Sequence, residues 1–519
     1  MSFKSILFQD VETSIEKKVL EEPDYFRDLN LDKVVDSITA GMKEYNLKQL
    51  LFTPLHSVDQ IRYRQEIMHD LEENEALFKI IKKFSKKIYE VAHSMKKVLE
   101  NLEQKDIYYN NYLEKGILFK SVNVYCEAIN TLVNDLASHD LKSKGLSEFR
   151  TFISNYSKSN AFISLLSETN ALKSDLSTVK YCMLIKDNCI KVRKYENETD
   201  YTVEIEKIFQ KFKQGDVKDY RKKLFEEPYA QHVEAGVLNM VAKMYPEIFS
   251  KLDSYCTKNK YFINETISKF SQEIQFYIAY LLYINKFKQA GLHFCYPQIV
   301  KQNKEIYNYE GFDLALADKL IGENKPIVCN DFYLKGKERI IVVSGPNQGG
   351  KTTFSRVFGQ LHHLASLGYP VPGRRAQLFL SDKIFTHFEK EEDVKNLNGK
   401  LQDDLIRMHN ILGQATTESI VIINEFLSSA ALKDAVLIGK SIMNKLVELD
   451  SLCVCVTFLD EIASYSDKNV SMVSTVFPED PVKRTYKIIR SPADGLAYAL
   501  HIAEKYGLNY TSLKERIKA

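Results

Sequence analysis

The 519-residue chain is 45% apolar and 27% charged, the proportions of a soluble globular protein with room for two or three domains. Its 71 basic and 69 acidic residues leave a net charge of only +2. That balance excludes a protein coated with nucleic acid over its whole surface, but not one with a local basic patch. No apolar run reaches the roughly 18 residues of a membrane span, and the N-terminus turns acidic at Asp10 before a secretory core can form. A cytoplasmic protein with no membrane partner is therefore expected. The eight cysteines include one C-x-C, Cys453 and Cys455, and no C-x-x-C. Zinc and a redox dithiol are not suggested, and reduced buried thiols are expected.

From the start to about residue 180 the pattern is helical, with Gly and Pro scarce. Ser57-Val58-Asp59-Gln60 reads as a capping box, with Pro54 just outside it. Ile61, Met68 and Leu71 follow at helical spacing, with Arg64 and Glu66 on other faces. Similar patterns run through Leu77–Leu99 and Val122–Leu136. The pairs Lys82-Lys83, Lys86-Lys87 and Lys96-Lys97 recur near helical spacing, as a solvated face or as a phosphate-contacting stripe. Near residue 181 the period changes. Met183–Lys186 and Cys189–Arg193 flank Asp187-Asn188 as in a hairpin, and Tyr201–Ile205 is a candidate third strand, giving a β insertion over about 181–206. A basic run follows at Lys207, Lys211, Lys213, Lys218, Arg221, Lys222 and Lys223, as a solvated helix or a grip on a nucleic-acid backbone.

Helical patterning resumes from His232 to about Ala290, with a very apolar stretch at Phe276–Ile284. Residues 291–330 are mixed and mark the start of a second domain, so the chain divides at about 1–300 and 301–519. Beyond Arg339, strands and helices alternate. Ile340–Val343, Ser419–Ile423 and Leu452–Thr457 are short β-branched runs of buried-strand type. This predicts a multidomain protein, a long α-helical domain with a small β insertion followed by an α/β domain.

Gly345-Pro346-Asn347-Gln348-Gly349-Gly350-Lys351-Thr352-Thr353 follows the first of those runs and meets G-x-x-x-x-G-K-[ST]. Such a loop turns backbone N–H groups toward phosphate oxygens. Lys351 would reach the β- and γ-phosphates of ATP, and Thr352 would give its hydroxyl to Mg²⁺. Ile420-Val421-Ile422-Ile423-Asn424-Glu425 reads as a Walker B strand, about 70 residues on. There Glu425 is the candidate base for the attacking water, and Asn424 stands where an Asp usually helps hold the metal. Gly399-Lys400 opens an amphipathic helix carrying Leu401, Leu405, Met408, Ile411 and Leu412, and helix starts can meet phosphate.

The loop resembles the phosphate loop of the MutS family, G-P-N-x-x-G-K-[ST]-T, which is narrower than the general pattern. Tyr369-Pro370-Val371-Pro372, Asp382-Lys383-Ile384-Phe385-Thr386 and the Gly495-Leu496-Ala497 that closes Ser491–Ala497 resemble later segments of that family. Thr53-Pro54 and Arg64-Gln65 with Leu71 resemble the start of its helical lever. The resemblance covers about residues 320–515, and more faintly 40–300. It implies an ABC-type P-loop ATPase domain behind a lever and clamp. It also implies a homodimer, or a heterodimer with a related subunit, with composite ATP sites that drive a clamp on DNA in mismatch repair or recombination.

Carried over by position, the resemblance gives Ile327 and Val328 to the adenine pocket and Asn347, Gly350, Lys351, Thr352 and Thr353 to phosphates and Mg²⁺. Gly399-Lys400 falls at the signature that reaches the other subunit's γ-phosphate, and Ser428-Ser429-Ala430 in the loop crossing the interface. The chain departs from the family at three places. Asn424 replaces the usual Asp, Phe458 replaces the His after Thr457, and Gly399-Lys400 replaces Ser-Thr. Weak hydrolysis is therefore expected, with Lys400 a candidate substitute for the lost donor. No aromatic mismatch wedge and no endonuclease-like tail are seen, so binding of structured or branched duplex through its backbone is expected. The rival expectations are a non-hydrolysing nucleotide switch and a protein scaffold for a paralogous subunit.

Overall fold

The computed structural model describes residues 3–9, 21–103, 111–186, 189–198, 228–389, 399–463, 465–493, 508 and 510–518. The turn Asp187-Asn188, the third strand at Tyr201–Ile205, the basic run from Lys207 to Lys223, Asn398 and the Asp494–Ala497 stretch lie outside these residues. The protein is a mixed helix and sheet structure of two compact units. One holds residues 1–5, 74–141 and 145–274, the other 6–73, 142–144 and 275–519.

The first unit is helical. Its longest helices, Glu75–Glu103 and Asn111–Ala137, pack against each other, with the apolar residues expected at helical spacing buried between the layers: Leu77, Ile81, Phe84, Ile88, Val122, Ile129 and Leu136. Shorter helices start on side-chain caps. Ser159 Oγ accepts the Phe162 N–H, and Asn264 Oδ1 accepts the N–H groups of Thr266 and Ile267. Phe149 and Phe270 stack at 3.5 Å, with Phe3 beside them. The hairpin forms as expected, Tyr181–Lys186 pairing antiparallel with Cys189–Lys194 and Lys186 opposite Cys189. Lys82, Lys83, Lys86, Lys96 and Lys97 are exposed, and Lys87 is half-buried. All eight cysteines are free thiols.

The second unit carries helices α1 (Val58–Glu73) and α2 (Gln275–Gln289) and a six-stranded sheet. Its strands are β1 (Ile340–Ser344), β2 (Ile384–Phe388), β3 (Ile420–Asn424), β4 (Leu452–Val456), β5 (Asn469–Phe477) and β6 (Asp480–Arg490), in the order β2-β3-β4-β1-β5-β6. The first five in that order run parallel, and β6 returns antiparallel on β5. Helices α3 (Lys351–Ser366), α4 (Lys400–Gln414) and α5 (Leu432–Leu449) follow β1, precede β3 and precede β4. Parallel strands covered on both faces need continuous apolar sequence; Ile340–Val343, Ile420–Ile423 and Leu452–Val456 are all fully buried. The mixed stretch 291–330 contributes to a separate four-stranded sheet, ordered Gln298–Val300, Arg375–Phe379, Ile306–Gly311, Asn330–Leu334. Among the described residues no helix is long and apolar enough to cross a membrane.

Two long-range contacts hold the unit around α3. Arg64 of α1, only 1% exposed, donates to the carbonyls of Leu7 and Leu367, and its guanidinium lies over the rings of Phe8 and Phe276. The apolar stretch of α2 is buried against the exit of α3: Tyr280 stacks on Tyr369 at 3.9 Å and donates to the Pro370 carbonyl. At the other edge Asp450 receives Lys304, Arg339 and Lys468. Partial burial pushes its carboxyl pKa up, but hydrogen bonds from Lys468, Arg339 and Lys304 outweigh this and bring it down to about 2.

A carboxylate depressed in the folded state stabilises above its unfolded pKa of about 4 and loses that contribution as pH falls through its folded pKa. Asp450→Asn should lower stability by about 1 kcal/mol at pH 7, after allowance for solvent screening of this partly exposed group. In urea titrations read by circular dichroism, the gap to the unaltered chain should close as pH drops from about 4 toward about 2.

Candidate functional site

The sheet brings the expected elements together. Asn424 pairs with Val456, Val456 with Val343, and Ser344 with Val473. The carboxyl ends of β2, β3, β4 and β1 therefore lie level to within a residue, with β5 running on past them to Phe477; this is the edge where open α/β sheets bind ligands. The ladder continues one residue further: the Glu425 N–H donates to Val456 O at 3.0 Å and the Thr457 N–H to Val343 O at 3.1 Å.

The loop 345–350 leaves β1 along β5. Gly345 has φ +112°, and a Cβ there would stand 2.9 Å from the Ser474 carbonyl oxygen. At Gly349 a Cβ would stand 2.3 Å from Ser474 Oγ, the hydroxyl that donates to Gly349 O at 2.6 Å. Only glycine permits this approach. Arg484 of β6 donates from Nε to the Asn347 carbonyl at 3.1 Å. Asn347 and Gln348 are exposed and Pro346 buried. Helix α3 starts at Gly350 with no side-chain cap, which leaves its first N–H groups, with half-buried Thr352 and Thr353, available to an anion.

Lys351 is 3% exposed and donates to the Gly345 and Pro346 carbonyls at 2.9 and 3.0 Å. Burial pushes its pKa below the usual lysine range; Glu425 opposes the shift, while Arg484 adds to it. The Phe458 ring lies with its centroid 4.4 Å from Lys351 Nζ. Asn424 is 7% exposed, and its Oδ1 is buried with no hydrogen-bond partner among the described residues. Glu425 follows at φ 55° and is half-buried. An orphaned acceptor beside a phosphate-type cradle fits a hydrated cation or a bound polar ligand.

Ile327 and Val328 are half-buried, and the chain after them is tied to β6. Asn330 donates to Tyr486 O at 3.1 Å and accepts from the Ile488 N–H at 2.8 Å. Tyr486, at φ 59°, brings its ring within 3.8 Å of the position of a Cβ on Gly350. Gly399 and Lys400 do not join the loop of their own chain. They start α4 beside β2, three strand spacings or about 14 Å from β1. There Lys400 pairs with Glu389, which also accepts from Ser428 Oγ at 3.1 Å. The Lys400 hydrogen bond holds the Glu389 carboxyl below its usual pKa. Ser474, Arg484, Tyr486 and Glu389 are not legible as site residues in the sequence. The first three sit in the β5–β6 hairpin, more than 120 residues beyond the loop, and no local motif marks them.

Gly349→Ala should destabilise the unit through the Ser474 clash, and Ser474→Gly should cost about 1 kcal/mol through the lost hydrogen bond. In thermal melts of the single and double variants, the double variant should lose less than the sum of the singles by about 1 kcal/mol, because removing the Ser474 side chain makes room for the new methyl.

Comparison with known proteins places this site in a family. The model of MutS domain V matches residues 341–516. The chain is 28% identical over 222 residues to the DNA mismatch repair protein MutS of Orientia tsutsugamushi (strain Boryong), covering 42% of this chain and 25% of that protein. It is 23% identical over 467 residues to the DNA mismatch repair protein MutS of Aquifex pyrophilus, covering 81% of this chain and 51% of that one. It is 27% identical over 215 residues to Endonuclease MutS2 of Thermus thermophilus, covering 39% and 29%. The matched stretch spans a quarter to a half of these relatives. With a domain V across its site and MutS and MutS2 proteins among its relatives, the chain belongs to the MutS family.

Proposed function

We propose that residues 301–519 form an ABC-type P-loop ATPase domain, that residues 1–300 form its lever and clamp, and that ATP binding drives a dimeric clamp on DNA. The observation that carries this reading is the level edge at which the 345–353 loop, Asn424-Glu425 and Thr457-Phe458 meet. The free N–H groups at the start of α3 and Lys351 cradle the phosphates, and the Tyr486 ring stacks on the adenine beside Ile327 and Val328. Magnesium, when bound with the nucleotide, supplies the positive charge that offsets the β- and γ-phosphates. Thr352 Oγ1 and Asn424 Oδ1, which has no partner among the described residues, are the atoms that would hold its shell. Glu425 takes the proton of the attacking water. Asn424 brings no charge to the cation, so turnover is slow.

The dimer forms through α4 and α5, where Leu405, Ile406, Leu432 and Leu437 are exposed apolar side chains. Lys400 of one subunit then meets the γ-phosphate held by the other. The exposed lysines of the helix Glu75–Glu103 contact the DNA backbone without reading bases. The names of the relatives make DNA the first ligand to test. A second reading, a switch that holds ATP without hydrolysing it, is favoured by the neutral Asn424.

Lys351→Ala should weaken ATP affinity at least about tenfold. Glu425→Gln should leave affinity within about threefold and cut turnover about a hundredfold. Phosphate release from the unaltered chain that equals the Lys351→Ala background would favour the switch. DNA affinity, titrated with duplex, single-stranded and four-way substrates, should fall at least about tenfold between roughly 50 and 200 mM salt. Absence of binding to every form at low salt would remove the clamp.

A further inference from the structure

An ammonium group has three N–H donors. In Lys351 two bonds go to the loop's own carbonyls, Gly345 O at 2.9 Å and Pro346 O at 3.0 Å, and the remaining side is covered by the Phe458 ring. The lysine that should meet phosphate is thus sealed, at 3% exposure. The cover is less fixed than the group it hides. Phe458 is 51% exposed, whereas its backbone is set by the Thr457 N–H on Val343 O and by the Leu459 N–H on Thr457 Oγ1. The side chain can turn about χ1 while the chain beneath it stays in place.

Its place in the sheet decides what it covers. Strand β4 lies between β3 and β1, so Phe458 emerges between Asn424-Glu425 on one side and the loop on the other. A terminal phosphate and an attacking water need that gap. An aromatic ring offers them no hydrogen bond. Two phosphates on the loop's N–H groups do not need it.

We infer that Phe458 is a gate between Lys351 and Glu425 that sets the preference between nucleoside diphosphate and triphosphate, resting on the reading of residues 345–353 as a nucleotide loop. Diphosphate binds with the ring in place. Triphosphate binds only with the ring rotated off the ammonium, and loses the cation–π contact as it does so.

The test compares equilibrium affinities for ADP and ATP with magnesium, by fluorescent-analogue displacement. The proteins are the unaltered chain, Phe458→Ala and Phe458→Leu, at protein concentrations where the subunit is monomeric. The unaltered chain should bind ADP at least as tightly as ATP. Both variants should shift the ADP-to-ATP preference toward ATP by about fivefold, the value of an exposed cation–π contact, with ADP affinity within about twofold. A general structural role would weaken both nucleotides together and leave their ratio unmoved. An unchanged ratio in both variants, with melting temperatures preserved, overturns the gate and leaves the nucleotide site standing. If only Phe458→Ala fails to fold, the Phe458→Leu ratio decides. If neither nucleotide binds the unaltered chain, the reading of the loop itself is wrong, and the gate falls with it.

Discussion

Four parallel strand ends held level are the constraint on which the site depends. Neighbouring strands lie about 4.8 Å apart, and the rise along each is about 3.3 Å per residue. A slip of one residue between β3 and β4 would carry Glu425 away from the loop and turn Asn424 to the other face of the sheet. The ladder prevents this by backbone bonds that persist past the last strand residue, at Glu425 and Thr457. The apolar side chains of Val421, Ile423, Cys453 and Cys455 then lock the register from the core. The position of each polar group is thus set by groups that take no part in the chemistry.

The same constraint explains which parts of the site were legible. A phosphate loop is a local object: its glycines, lysine and threonine sit within nine consecutive residues, and a buried strand before it is visible as a β-branched run. The run Ile420–Ile423 with Asn424-Glu425 is local for the same reason. The hairpin at 181–194 was also readable, because a period-two pattern breaks a helical background there.

What was not readable depends on pairs far apart in the chain. Ser474 presses on Gly345 and Gly349 because β5 pairs with β1, not because of any feature near residue 474. Arg64 reads as one of the polar positions of an amphipathic helix, yet it is among the most deeply buried side chains, since its partners Leu7 and Leu367 are remote. For the same reason residues 6–73 pack with the C-terminal unit rather than with the helices that follow them. The four-stranded sheet built from residues 298–379 draws one strand from beyond α3, so the mixed pattern of 291–330 could not reveal it.

Arg64 sits at the opposite end of α3 from the 345–350 loop. The helix closes there on Gly368, with the Tyr369 N–H on Leu364 O and the Gly368 N–H on Ala365 O, and Arg64 takes the Leu367 carbonyl at 3.1 Å. Sixteen residues of helix make a stiff rod about 24 Å long. Breaking the Arg64 bond to Leu367 would leave a buried donor and acceptor unpaired, since Arg64 is almost fully buried. The far end of α3 is therefore tied to α1, and the chain leaves α1 at Glu73 directly into the helical unit.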